Sequence, residues 1–156
     1  NYVPRKMFDI SQTNIKPNTT KPDYSQRSLL SGLVKDCSYC ITVQSELSLP
    51  VIVGNNEIYY RKDINFEEGF SWLSYVISAL SMDQSNKVLL DYKARCTAYI
   101  LCTKLGVPFQ MESEWNNGNP LLHFKNLKAY RQQLKEIRNT AFQLYHNILS
   151  VAELNH

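Results

Sequence analysis

Apolar positions along the chain recur mostly at helical spacing. From Tyr24 to Leu47, the residues Leu29, Leu30, Leu33, Val34, Cys37, Cys40, Ile41 and Leu47 share one side of a helical wheel. That stripe predicts a first helix ending before Pro50, which disfavours helical backbone ahead of it. Asp23 followed by Gln26 fits a capping box at its start. Val43 falls off the stripe, and Gly32 costs about 1 kcal/mol relative to alanine inside a helix. The β-forming run Tyr39–Gln44 offers a rival strand, but the stripe through Cys37 and Cys40 favours the helix.

The period then changes. Val51–Val53 and Glu57–Arg61 flank Gly54-Asn55-Asn56, residues that tolerate a tight turn, which predicts a hairpin over 51–61. A second helix follows, with Asn65 as cap, Glu68 completing the box, and Phe66, Phe70, Leu73, Ile77 and Leu80 as its core stripe. A third is expected from Asn86 to Leu105, burying Val88, Leu89, Tyr92, Cys96, Tyr99 and Ile100 and ending at Gly106 and Pro108. Residues 107–120 read as a loop. A long fourth helix is expected from Leu121 to Ala152, lined inside by Leu127, Tyr130, Leu134, Ile137, Ala141, Leu144, Tyr145 and Ile148.

Residues 1–23 hold no apolar period and contain Pro4, Pro17 and Pro22, so they read as an extended N-terminal arm, draped on its own domain or clasped by a neighbour. The expected fold is therefore mainly α: a four-helix bundle-like single domain over 24–156, with a small β-hairpin and the arm. The 156 residues suit one such domain. No apolar run approaches the ~20 residues that cross a bilayer, so no membrane contact is expected.

Charge adds a pattern that the net value of +3 hides. Residues 1–28 and 121–156 each carry five basic and two acidic side chains, while 29–120 carry seven and ten. Two basic ends around an acidic centre suit contacts between segments or with a partner. The four cysteines are too few for a disulfide scaffold, and Asn1–Lys6 lack a signal's apolar core, so an intracellular, cytoplasmic setting is expected.

Catalytic chemistry finds little support. Cys37-Ser38-Tyr39-Cys40 has redox or zinc half-site spacing, but an apolar mid-helix position leaves such thiols inert, and core packing explains them better. His123, His146 and His156 are scattered without a positioned partner, and Glu112, Glu114 and Trp115 read as a solvated loop with one anchor. No nucleophile elbow, phosphate loop or dinucleotide fingerprint occurs. An enzyme, a cofactor and a metal site are all unexpected.

Two surfaces stand out instead. Opposite the core stripe of the second helix lie Trp72, Tyr75 and Ala79, with Ser71, Ser74 and Ser78 on the flank between. A helix apolar on two sides is either central or presents an aromatic patch to a partner. On the fourth helix, Lys125, Lys128, Arg131, Lys135 and Arg138 form one stripe that only Glu136 interrupts. Such a stripe suits phosphates or an acidic neighbour, though it lacks aromatic interleaving. The expected function is a non-enzymatic protein–protein interaction module, an adaptor or assembly subunit, binding another protein or itself. The alternative is a nucleic-acid-binding protein using the basic stripe.

Overall fold

Asn65 caps the helix that begins at Phe66. Its side-chain Oδ1 accepts the Glu68 N–H at 2.8 Å, and Glu67 and Glu68 occupy the positive end. A computed structural model describes residues 24–111, 124 and 126–155. In chain order the elements are α1 (Gln26–Leu33), β1 (Cys40–Gln44), β2 (Val51–Val53), β3 (Glu57–Arg61), α2 (Phe66–Leu80), α3 (Lys87–Leu105) and α4 (Leu127–Asn155). The protein is mainly helical with a small three-stranded sheet. The arm 1–23 with Asp23, the acidic pair and tryptophan of 112–115, His123, Lys125 and His156 lie outside the described residues.

The first helix is much shorter than its stripe predicts. Ser25 caps it, accepting the Ser28 N–H at 3.1 Å, and it ends at Leu33. The stretch from Cys40 to Gln44 is a strand, so the rival reading of that segment is the right one. Cys37 and Cys40 therefore sit in a connecting turn and at a strand start, not on a helix face. The predicted hairpin forms between β2 and β3, with Asn56 in the left-handed conformation at φ 59°. β1 adds to it in parallel with β3, from Cys40 opposite Glu57 to Gln44 opposite Arg61, giving the order β1-β3-β2.

Strand alternation then places Ile41, Val43, Val51, Val53, Ile58 and Tyr60 on one face of the sheet. α2 packs against β2, and Val51 and Ile58 are buried beside it. Ile41 and Val43, on the same face, stay 36% and 59% exposed.

α3 is capped by Asn86 and stops at Gly106, whose φ of 72° suits the glycine. Its buried face differs from the one that bulk predicts. Lys93, Ala94, Thr97, Ala98, Leu101 and Cys102 are inside, while Val88 and Tyr99 are half or more exposed. Alanine and threonine let the neighbouring helices approach, and the larger side chains are turned out. α4 starts at Leu127, not Leu121, and runs to Asn155; Leu127 and Leu134 are exposed, so its buried apolar run begins at Ile137 and continues through Ala141, Leu144 and Ile148.

α3 and α4 run in parallel. Lys93 meets Gln133 and Glu136, and eleven residues on, Lys104 lies over the Tyr145 ring. α1 crosses α4 at Gly32, where a methyl group would collide with the Ile148 backbone. The core joins Leu29 and Leu33 of α1, Ile58 of β3, Phe70 of α2, Leu101 of α3 and Ile148 of α4.

Gly32→Ala tests that crossing. Helix propensity alone favours alanine, yet the forced separation of α1 from α4 should lower stability by about 1–3 kcal/mol, as overpacking does elsewhere. A lower midpoint in urea unfolding is the expected readout.

Candidate interaction surfaces

Helical spacing places Trp72 and Tyr75 on the side of α2 away from Phe70 and Ile77. Both are half-buried against the edge of the core, and Ala79 is half-buried too. The two rings meet edge-on with centroids 6.0 Å apart. Tyr75 is fixed by α3: its hydroxyl donates to Asp91 Oδ1 at 2.6 Å. Asp91 in turn accepts from Arg95 Nε at 2.9 Å, and that guanidinium lies 5.3 Å from the centre of the Tyr75 ring. Burial and the Asp91 hydrogen bond raise the Tyr75 pKa far above the ordinary phenol value.

The Trp72 indole N–H is covered and meets no acceptor among the described residues. What Trp72 shows to solvent is therefore ring carbon. The flanking serines face inward. Ser71 donates to the Glu67 carbonyl at 2.7 Å and accepts the Gln110 N–H at 2.9 Å, anchoring the segment after α3. Ser74 and Ser78 are fully buried without side-chain partners among the described residues, so their small size is what the packing uses.

On α4, Lys128, Arg131, Lys135 and Arg138 are all exposed, and none joins an ion pair among the described residues. Arg131, Lys135 and Arg138 border a shallow depression around Leu134. Glu136, the acid that interrupts this stripe in the sequence, is turned to the buried Lys93 of α3, whose ammonium also donates to Gln133 at 2.6 Å. Its carboxylate is thereby committed to the helix interface. That placement is not legible in residue spacing, since Lys93 reads as an ordinary surface lysine.

A cleft of about 360 Å³ opens between α1, α2 and α4. Leu33, Ile77 and Leu144 floor it, Asn139, Gln143 and Asn147 form one wall, and Cys37 lies at its rim. His146 lies elsewhere on α4, exposed, with its ring against Phe142 at 4.3 Å. Among the described residues, no group of three or more His, Cys, Asp or Glu side chains is arranged to hold a metal ion. No helix among them is long and apolar enough to cross a membrane.

The cysteines separate by environment. Cys40 is exposed at the start of β1, Cys37 and Cys96 are half-buried, and Cys102 is buried. Burial pushes the Cys102 thiol up to about 11 and also raises Cys96. No protein-family model, curated protein or solved structure matches the chain.

Thiol labelling of the folded protein reads these environments directly. At pH 8 a thiol of pKa about 11 is roughly 0.1% thiolate, the reactive form. Cys40 should label first and Cys102 last, the Cys102 rate rising about tenfold per pH unit below its pKa while the fold holds.

Proposed function

We propose that the chain is a non-enzymatic interaction module, an adaptor or assembly subunit that associates through the α2 surface of Trp72, Tyr75 and Ala79. The observation that supports it best is the rigidity of that surface. Tyr75 is held by Asp91 and covered by Arg95, and Trp72 meets it edge-on. Aromatic anchors already fixed in one geometry lose little entropy on binding, which is why such residues dominate interface energetics. The partner is another protein or a second copy.

A second reading rests on a separate observation. With Glu136 drawn to Lys93, the four described cations of the α4 stripe present an unbroken positive row. That row suits nucleic-acid phosphates, and Lys125 precedes it in the sequence, outside the described residues.

Trp72→Ala should weaken association by at least about 30-fold, the scale of an interface anchor, while the circular dichroism spectrum is unchanged. Light scattering of the pure chain, and capture of its partner from source cells, supply the two readouts. Loss of the folded spectrum would instead make Trp72 a core residue.

For the second reading, four phosphate contacts give a slope of log affinity against log salt of about −3 to −4. Charge reversal of Lys128 and Arg131 should abolish binding to DNA or RNA. Binding that ignores salt, or survives the reversal, removes that reading.

A further inference from the structure

β1 is an edge strand. Among the described residues it pairs with β3 alone, and its other side is open. The Cys40 N–H donates to the Asn56 carbonyl at 3.1 Å, and the Lys62 N–H to the Gln44 carbonyl at 2.8 Å, both on the β3 side. Successive residues of a strand direct their backbone groups to opposite sides, so Cys40, Thr42 and Gln44 face β3. Ile41 and Val43 therefore present two N–H and two C=O groups to the open edge.

Proteins usually guard such an edge with charge, proline or a bulge. Cys40-Ile41-Thr42-Val43-Gln44 has no charge and no proline, and it pairs with β3 in unbroken register. Its apolar side chains are also only partly covered. Ile41 and Val43 lie on the face that α2 covers elsewhere, yet they are 36% and 59% exposed, and no described helix packs closely against β1.

We propose that β1 pairs edge to edge with β1 of a second copy, antiparallel about a two-fold axis at Thr42, a self-contact separate from the α2 surface above. The strand is its own complement in that register. Ile41 stands opposite the partner's Val43 and exchanges both backbone hydrogen bonds with it. Val43 does the same with the partner's Ile41, making four bonds in all. Thr42 faces the partner's Thr42 as a non-hydrogen-bonded pair, a favourable cross-strand combination. Cys40 faces the partner's Gln44. No charge meets a like charge anywhere in the pairing. The sheet becomes six-stranded, β2-β3-β1 continued by its copy, and both helical layers stay on one face. The exposed Ile41 and Val43 of each copy then close on one another.

The 156-residue chain is measured by sedimentation equilibrium from about 1 to 500 μM, since a small edge interface belongs at the weak end of association. A monomer–dimer equilibrium is expected. In Val43→Pro, the substitution deletes an N–H that only the partner uses and leaves the β1–β3 ladder in place. Dimerisation should weaken tenfold or more with the circular dichroism spectrum retained.

Cross-linking tests register independently of that variant's folding. Non-hydrogen-bonded partners lie about 4.5 Å apart between Cα atoms, within disulfide reach. Cys40→Ser/Thr42→Cys should therefore oxidise to a covalent dimer, and Cys40→Ser/Gln44→Cys should not. A monomer across the whole concentration range overturns the proposal, as does equal cross-linking at 42 and 44. A dimer lost in Trp72→Ala but kept in Val43→Pro also overturns it, while leaving the association reading intact.

Discussion

The contact between Lys93 and Glu136 fixes how the two longest helices lie. Lys93 is almost wholly buried, its ammonium shared between Glu136 and Gln133 of α4. A buried ammonium needs its hydrogen-bonding partners, because leaving it unpaired at that depth carries a desolvation cost. Sliding α4 by one turn would leave it so. The pair therefore locks the register of α3 and α4, and with it the parallel run that ends at Lys104 over Tyr145. It also decides the electrostatics of the outer surface. Glu136 pairs across the interface with Lys93, and the cations around it are exposed and join no ion pair among the described residues.

Small residues complete what that pair begins. Ala94 and Ala98 are fully buried on α3, Ser71, Ser74 and Ser78 on α2, and Gly32 lies against the backbone of α4. Close helix approach of this kind leaves little room for large side chains between helices. Several aromatics are consequently displaced to the rim, Tyr75, Tyr92 and Tyr99 among them. The Trp72 and Tyr75 surface is in this sense a product of the packing. Asp91 and Arg95, one turn apart on α3, convert a displaced tyrosine into a fixed one.

Legibility in the sequence followed the strength of local signals. Asn65 with Glu68, the Gly54–Asn56 turn and Gly106 each encode a hydrogen bond or backbone conformation within a few residues, and each marks the boundary it suggests. The segment Cys37–Gln44 misled because its apolar residues satisfy both periods; Val43, the residue off the helical stripe, was the sign of a strand. α3 misled for another reason. Its apolar residues are spread around the helix among polar ones, and bulk selects Tyr92 and Tyr99 where proximity selects Ala94 and Ala98. The aromatic and basic candidates were visible as residue types at helical spacing. The latch on Tyr75, the inward turn of Glu136 and the bare edge of β1 depend on contacts between distant segments. The i, i+4 spacing of Asp91 and Arg95 was the one local trace of them.

The union of α1 with α4 has a temporal side. Lys35 donates to the Ser150 hydroxyl across 115 positions of sequence, beside the crossing of Gly32 and Ile148. During synthesis at about 5–20 residues per second, α1 precedes its main partner by roughly 6–23 s. Through that interval Leu29 and Leu33 have no α4 to cover them, and an eight-residue helix is marginal on its own. The nascent chain thus carries an unfinished apolar surface until its last described helix has been made, and the first described helix is among the last to be secured.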